Sequence, residues 1–466
     1  PLHRSSPHFS MRIVEIYEAG GFPKLVLESK KEFAATYGLQ SEYWRHFDVA
    51  DSPEVLSYLK SNLEDLASHY HSVYQERDPS EDGSESFAEA LRWYRAYLGS
   101  FPAEVESPGI NHRLADLLLE HEDFTDAALE YERTAYAYPA HEKSAAAGYA
   151  AIYAHREAQK RAKGEEREAA RRAAVTSTLR FADGFPQHEH VAAVLGVAVD
   201  DLYEMKEFDR TIEVARRLID TYPQADPAIL RAAWTALAHA SFDIAEYPQA
   251  EAAYARVLEM TPEEDESRQA LVDNLAASVY KQGEQASLAE DHRTAADHFL
   301  RIARVAPTSA IRPVAEYDAG AALMKLKDWT GAAAVFETFR QTFPDHELHR
   351  EATKQMAFVY REEGDLGRAA TEYERVAREA DDPELRREAL LLAGELYEDA
   401  EQPDRALAVY VAYLEQFPEP LETAVETRFK VAELHDAAGD RAAYLDELRE
   451  IVRIDRTAGD AGTPRI

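Results

Sequence analysis

Apolar residues recur along most of the chain at three- and four-residue intervals, the spacing of one face of an α-helix. The apolar stretches end at regular places. An aromatic followed by proline closes six of them, at Phe101-Pro102, Tyr138-Pro139, Phe185-Pro186, Tyr222-Pro223, Phe343-Pro344 and Phe417-Pro418. Pro262, Pro307 and Pro383 close three more without the aromatic. Successive prolines lie 37, 47, 37, 39, 45, 37, 39 and 35 residues apart. A basal unit of about 34 to 37 residues with occasional insertions accounts for these intervals, and that period belongs to repeated two-helix hairpins.

The interiors of the units agree in register. Before Pro262 stand Val257, Tyr254 and Ala250, then Ala238, Leu237 and Trp234. Before Pro344 stand Phe339, Phe336 and Ala332, then Leu323 and Gly320. Before Pro418 stand Tyr413, Tyr410 and Ala406, then Tyr397 and Gly394. Val376, Tyr373, Ala369, Tyr360 and Ala357 repeat the pattern, as do Tyr131, Ala127, Leu118, Ala115 and Leu114. Small residues such as Ala127, Ala250, Ala332 and Ala406 let two helices approach closely. Aromatics such as Tyr254, Phe336, Tyr373 and Tyr410 fill the space between hairpins. Proline cannot continue a helix and fixes the turn into the next unit. Turns within units are expected at Glu246-Tyr247-Pro248, Lys327-Asp328-Trp329, Gly364 to Gly367 and Gln402-Pro403-Asp404.

This combination resembles the tetratricopeptide repeat family: a large residue, Leu-Gly/Ala and Tyr on the first helix; Ala, an aromatic and Ala or another apolar residue on the second; proline at the end. The resemblance covers roughly residues 61–455 and is degenerate at Ala174 to Pro186 and Thr211 to Pro223. It implies an all-α, right-handed superhelical solenoid of about ten hairpins, in place of the three ordinary domains that length alone suggests. Residues 1–60 read as an irregular helical segment, the end of an upstream repeat array, with helices over 10–19 and 24–37 joined at Gly20 to Pro23. Inserts are expected near 78–86, as a mobile loop, at 156–174, as a lengthened hairpin with a charged tip, and at 281–291, as an extended turn. Residues 456–466 read as a tail or linker. The first residues, PLHRSSPHFS, lack the basic start and apolar stretch of a signal peptide, and the chain is read as a piece of a longer protein.

Composition narrows the function. The 466 residues are 45% hydrophobic, enough for a large core. Asp and Glu number 87 against 52 Lys and Arg, a net charge of −35, which excludes a general nucleic-acid binder. The bases are 39 Arg and 13 Lys; a surface adapted to salt and a GC-rich coding sequence both give this bias. With no cysteine there is no disulfide, thiolate metal site or cysteine nucleophile. No run approaches the length of a membrane-spanning helix.

Reaction chemistry finds no foothold. There is no phosphate-binding glycine loop, nucleophile elbow or zinc-protease motif. His69/His71 and His188/His190 are two residues apart and point away from each other on a helix; His346 and His349 share a face but lack a third ligand. Glu263 to Glu266 suits a helix start. The one basic concentration, Arg156, Lys160, Arg161, Lys163, Arg167, Arg171 and Arg172, reads either as a solvated helix pair laced with Glu165, Glu166 and Glu168 or as a docking knob for an acidic partner.

The family resemblance places a concave groove on the first helices, at the second, fifth, ninth and twelfth positions of each unit. This puts His112 and Asp116 there, then Thr235, His239 and Phe242, then Tyr317 and Met324, then Lys354, Phe358 and Arg361, and finally Glu395 and Glu398. The Lys and Asn clamp of chaperone-type grooves is missing. Aromatic, histidine and acidic side chains suit an extended or helical peptide of basic character; packing on neighbouring helices is the alternative role. The expectation is a non-catalytic protein-interaction scaffold with no cofactor and no metal. The alternatives are a regulatory or substrate-docking part of a larger enzyme whose catalytic domain lies outside this chain, and a groove for a small ligand or sugar. The stretch Phe343 to Ala352 is similar to bacterial envelope members of the family, so a periplasmic or envelope location is expected, with a cytoplasmic one as the alternative.

Overall fold

The computed structural model describes residues 3–78, 80 and 82–460. Among them are twenty-two α-helices, two short 3-10 turns and no strand. In chain order the helices are α1 (Ser6–Ala19), α2 (Pro23–Tyr37), α3 (Pro53–Glu76), α4 (Ser84–Ser100), α5 (Ser107–Glu120), α6 (Phe124–Tyr136), α7 (Ser144–Arg161), α8 (Gly164–Gly184), α9 (Val191–Glu204), α10 (Phe208–Thr221), α11 (Pro227–Asp243) and α12 (Tyr247–Met260). They continue as α13 (Arg268–Leu288), α14 (His292–Val305), α15 (Arg312–Lys325), α16 (Trp329–Thr342), α17 (His349–Glu363), α18 (Leu366–Glu379), α19 (Pro383–Asp399), α20 (Pro403–Gln416), α21 (Leu421–Ala437) and α22 (Arg441–Asp460). The chain divides into two compact units, residues 1–236 and 237–466, at a boundary inside α11. Within each unit, helices adjacent in sequence pack on one another, the stacking of a helical repeat solenoid.

Eight of the hairpin turns share one feature. A single residue takes a left-handed backbone: Glu122, Lys206, Ala245, Glu290, Lys327, Gly364, Glu401 and Gly439 all have positive φ. The next residue starts the second helix. Where it is Asp291, Asp328 or Asp365, its carboxylate accepts the backbone N–H three residues on, satisfying one of the four free donors of a helix start.

The closing aromatic-proline pairs also have a common cause. A residue before proline is pushed out of the helical region. Phe343 accordingly sits at φ −127° and its backbone N–H closes α16 by donating to the Phe339 carbonyl. Its ring packs on the aromatic one turn earlier, 5.4 Å from Phe339; the same clasp joins Phe181 to Phe185 at 5.5 Å, Tyr97 to Phe101 at 5.6 Å and Tyr413 to Phe417 at 5.6 Å. Inside the hairpin a small residue on the first helix faces an aromatic sixteen residues later: Gly283 and Phe299, Gly320 and Phe336, Gly394 and Tyr410. Second helices of successive hairpins are tied by ion pairs, of which Arg340–Glu372 is the most buried, with two bonds of 2.6 and 3.1 Å.

Two expectations change. The stretch 281–291 is not an extended turn: α13 stays helical to Leu288, and Gly283 is the small helix residue against Phe299. The basic concentration at 156–172 is open only in part: Lys160, Arg161, Lys163, Arg167 and Arg172 are exposed, and the other two are drawn in. Arg156 and Arg171 are turned onto Asp201 of α9, Arg171 also meets Glu204 at 3.0 Å, and Arg161 reaches Glu122 at 2.6 Å. Lys160 pairs with Glu157 on its own helix, but the partners of Arg156, Arg161 and Arg171 are acids thirty or more residues away rather than Glu165, Glu166 or Glu168. Of the expected loop near 78–86, residues 79 and 81 lie outside the described residues, and α4 starts at Ser84. Residues 461–466 of the expected tail also lie outside them, while α22 runs to Asp460.

Candidate partner-binding surface

The first helices share a burial register. In α15 the buried positions are Ala315, Glu316, Ala319, Gly320, Ala322 and Leu323. The same spacing buries Ile110 to Leu118 in α5, Ala147 to His155 in α7, Ala352 to Tyr360 in α17 and Ala389 to Tyr397 in α19. Between the buried positions each helix leaves one face that its own hairpin does not consume. The residues expected at the groove stand on this face, in differing states.

On α5, His112 and Asp116 are joined at 3.1 Å, and the Tyr131 hydroxyl donates to Asp116 at 2.6 Å. Burial pushes the Asp116 carboxyl up, but the bonds from His112 and Tyr131 outweigh it and hold the group below its ordinary range. Burial and the bond to Asp116 raise the Tyr131 phenol. This triad is closed on itself.

On α11, the Thr235 hydroxyl donates back to the Arg231 carbonyl at 2.8 Å. His239 lies half-buried with its ring 5.6 Å from that of Tyr254, and burial lowers its imidazole. Phe242 packs edge-on to Tyr247 at 5.2 Å. On α15, Tyr317 rests against Phe336 at 5.5 Å, and Met324 packs partly buried on the core. Burial, then the charge of Glu351, raises the Tyr317 phenol.

On α17, Lys354 is exposed and paired with Glu351 at 3.2 Å. Phe358 stands edge-on to Trp329 at 6.1 Å, with the Arg361 guanidinium 5.3 Å above its ring. On α19, Glu395 and Glu398 are exposed but occupied: Lys430 of α21 sits 3.0 Å from the first and 3.7 Å from the second, and Glu398 also accepts the Tyr410 hydroxyl. They tie α19 to α21, so they are not a free acidic pair. Among the described residues no three histidines or carboxylates cluster as metal ligands, and no helix is long and apolar enough to cross a membrane.

The same register shows surface that the sequence reading passed over. Tyr149 and Tyr153 take the fifth and ninth positions of α7 and are 38% and 53% exposed; Phe429 of α21 is 47% exposed. On α13 the equivalent positions are Tyr280, Glu284 and Ser287. They line a cleft of about 480 Å³ against α14 and α15 that also takes in Leu288, Phe299, Asp318 and Ala321. The signal was present: Gly283 stands as far before Pro307 as Gly320 does before Pro344. The residues around Gly283 read as a turn, which hid the register.

In that cleft the Tyr280 hydroxyl donates to Asp318 at 2.5 Å, and the Tyr280 ring tilts over Phe299 at 5.1 Å. Burial raises the Asp318 carboxyl, the Tyr280 bond opposes this, and the charge of Glu284 adds to the rise. Burial, then the bond to Asp318, raises the Tyr280 phenol. In the other unit a cleft of about 450 Å³ lies among Phe22, Val26, Leu27, Lys30, Asp65 and Leu66; its charges answer one another, with Lys30 2.6 Å from Asp65.

Residues 314–346 and 388–420, the α15–α16 and α19–α20 hairpins, match the family model described as tetratricopeptide repeat. No curated protein matches the sequence. Among solved structures the chain is similar to MamA, from residue 41 to the end, of Desulfovibrio magneticus RS-1, with 18% identity over 39% of this chain and 96% of that one and a TM-score of 0.25. It is also similar to a tetratricopeptide repeat protein of Parabacteroides merdae ATCC 43184, with 13% identity over 56% and 91% and a TM-score of 0.23. The apo form of RapI gives 10% identity over 76% and 98% and a TM-score of 0.28.

Proposed function

We propose that this chain, a tetratricopeptide repeat protein, is a protein-interaction scaffold that engages a polypeptide across the face presented by the first helices of its hairpins. The observation that carries the reading is the register. The same six-position spacing is buried in α5, α7, α15, α17 and α19, and the first helices carry on their remaining face side chains that the fold does not require, among them the exposed Tyr149, Tyr153 and Phe429. Aromatic side chains of this kind lose little rotamer freedom on binding and bury much area, which makes them effective anchors.

The test is site-specific photo-crosslinking. A benzophenone amino acid replaces Tyr153 or Phe429 on first helices, and Leu129 or Val411 on second helices, all of which are exposed. Adducts form with partner polypeptides in source-cell extract from the first-helix positions. Equal yields from all four positions remove the proposed face.

The setting we propose is a bacterial envelope assembly. Its support is the Phe343 to Ala352 stretch, the lack of cysteine, and the acidic, lysine-poor composition. Fractionation of source cells tests it, and recovery of the chain in the cytoplasmic fraction alone removes it.

A further inference from the structure

The cleft between α13 and α15 differs from the rest of the first-helix face in being concave, apolar and acidic together. The last turn of α13 forms one wall of it, bringing Ser287 and Leu288 to the cleft. Leu288 is 86% exposed at the mouth of the cleft. Phe299, Ala321 and Ala322 complete the apolar wall.

Two carboxylates face this wall. Glu284 is met by Lys281 of its own helix at 2.6 Å. Asp318 is half-buried, and among the described residues its one hydrogen bond is the donor from Tyr280. An ionised carboxylate offers about four acceptor positions, of which the Tyr280 hydroxyl uses one. A cationic donor complements the two carboxylates, and an aliphatic stem complements the wall. His292 and Lys325 also line the cleft. Lys325 lies two helical turns beyond Asp318, about 10 Å along the axis, so its charge belongs to the far end.

We propose that this cleft receives an arginine or lysine side chain of the bound polypeptide, the alkyl stem lying against Leu288, Phe299 and Ala321 and the charged head meeting Asp318 and Glu284. The proposal rests on the reading of the first-helix face as the partner surface and specifies one pocket within it. A fork-shaped guanidinium fills two acceptor positions at once, so arginine is the better fit.

The probes are the peptides acetyl-Ala-Leu-Arg-Leu-Ala-amide and acetyl-Ala-Leu-Gln-Leu-Ala-amide, with acetyl-arginine-amide for the free side chain, titrated into the full chain by calorimetry. The arginine peptide binds about tenfold more tightly than the glutamine peptide, and the free arginine derivative is weaker than the peptide. Asp318→Asn reduces the arginine preference to about twofold or less, with an unchanged circular-dichroism melt. Ala321→Trp fills the cleft without altering any charge and abolishes binding of both peptides. Equal affinity of the two peptides, retention of the preference in Asp318→Asn combined with Glu284→Gln, or no saturable binding up to about 5 mM overturns the pocket. Crosslinks from Tyr153 and Phe429 that persist in those variants leave the broader face intact, and their absence in the unmodified chain sinks the face whatever the peptides do.

Discussion

Gly320→Ala separates two effects that a helix glycine combines. An added Cβ at this position meets the Phe336 ring, 2.5 Å from Cζ, 2.7 Å from Cε1 and 2.9 Å from Cε2. Comfortable carbon contacts lie near 3.5 to 4.0 Å, so the ring must retreat by about 1 Å. It has nowhere to go. Phe336 is fully buried and Tyr317 packs on it at 5.5 Å. Overpacking of this kind costs about 2 kcal/mol. Alanine returns about 1 kcal/mol of helix propensity. The net is a loss of about 1 kcal/mol, read as roughly fivefold faster hydrogen exchange of the α15 and α16 amides. Gly109 in α5 is the control, since a Cβ there meets nothing within 4 Å. Gly109→Ala stabilises its hairpin by about 0.5 kcal/mol, the propensity gain being reduced near a helix start. Local exchange is the right assay, because a stacked array need not unfold in one step and a single midpoint then averages over hairpins. Slower exchange in α15 and α16 on Gly320→Ala would refute the close-packing argument, as would failure of Phe336→Leu to rescue it.

Two further substitutions probe the turns and the half-buried His239. Lys327 holds φ at +58° without being glycine. Relief of about 1 to 2 kcal/mol of left-handed strain, less about 0.5 to 1 kcal/mol of glycine entropy, predicts that Lys327→Gly stabilises by roughly 0.5 to 1 kcal/mol, visible as a higher urea midpoint. His239 has its imidazole lowered by burial. The unfolded chain then binds the proton more readily, so this group's contribution is present above the unfolded value of about 6.5 and is lost as pH falls below it towards the folded value. His239→Gln flattens that part of the stability profile, and an unaltered slope between neutral and mildly acid pH refutes the assignment.

Much of the fold was readable because its strongest signals are local. The aromatic-proline endings mark where second helices stop, and the reason lies within one turn: Phe343 leaves the helix before Pro344 and folds back on Phe339. The pairing of Gly320 with Phe336 and of Gly394 with Tyr410 spans sixteen residues and stays inside one hairpin. What escaped depends on distance or on ambiguity. Gly283 is a turn signal and a packing residue at once, and only its distance from Pro307 decides between them. Tyr149 and Tyr153 fell within the 47-residue interval, where the insertion breaks the count from proline. The engagement of Glu395 and Glu398 by Lys430, and of Arg156 and Arg171 by Asp201, joins residues about thirty or more apart, and charge in a sequence this rich in ionisable residues does not announce its partner. The residues expected at the groove fall between the buried positions of their helices, but how far each is engaged by its neighbours was not legible.

The left-handed turns carry a consequence for how such a chain can change. Eight of them adopt one backbone geometry while the residue bearing it is Glu, Lys, Ala or Gly. Packing of the two helices therefore dictates the bend, and the side chain at its apex is left to drift. Selection can load these apices with charge, invert it, or hang a tag on it without retuning a single buried contact. A net charge of −35 can accumulate on such a frame with little cost to the stack beneath.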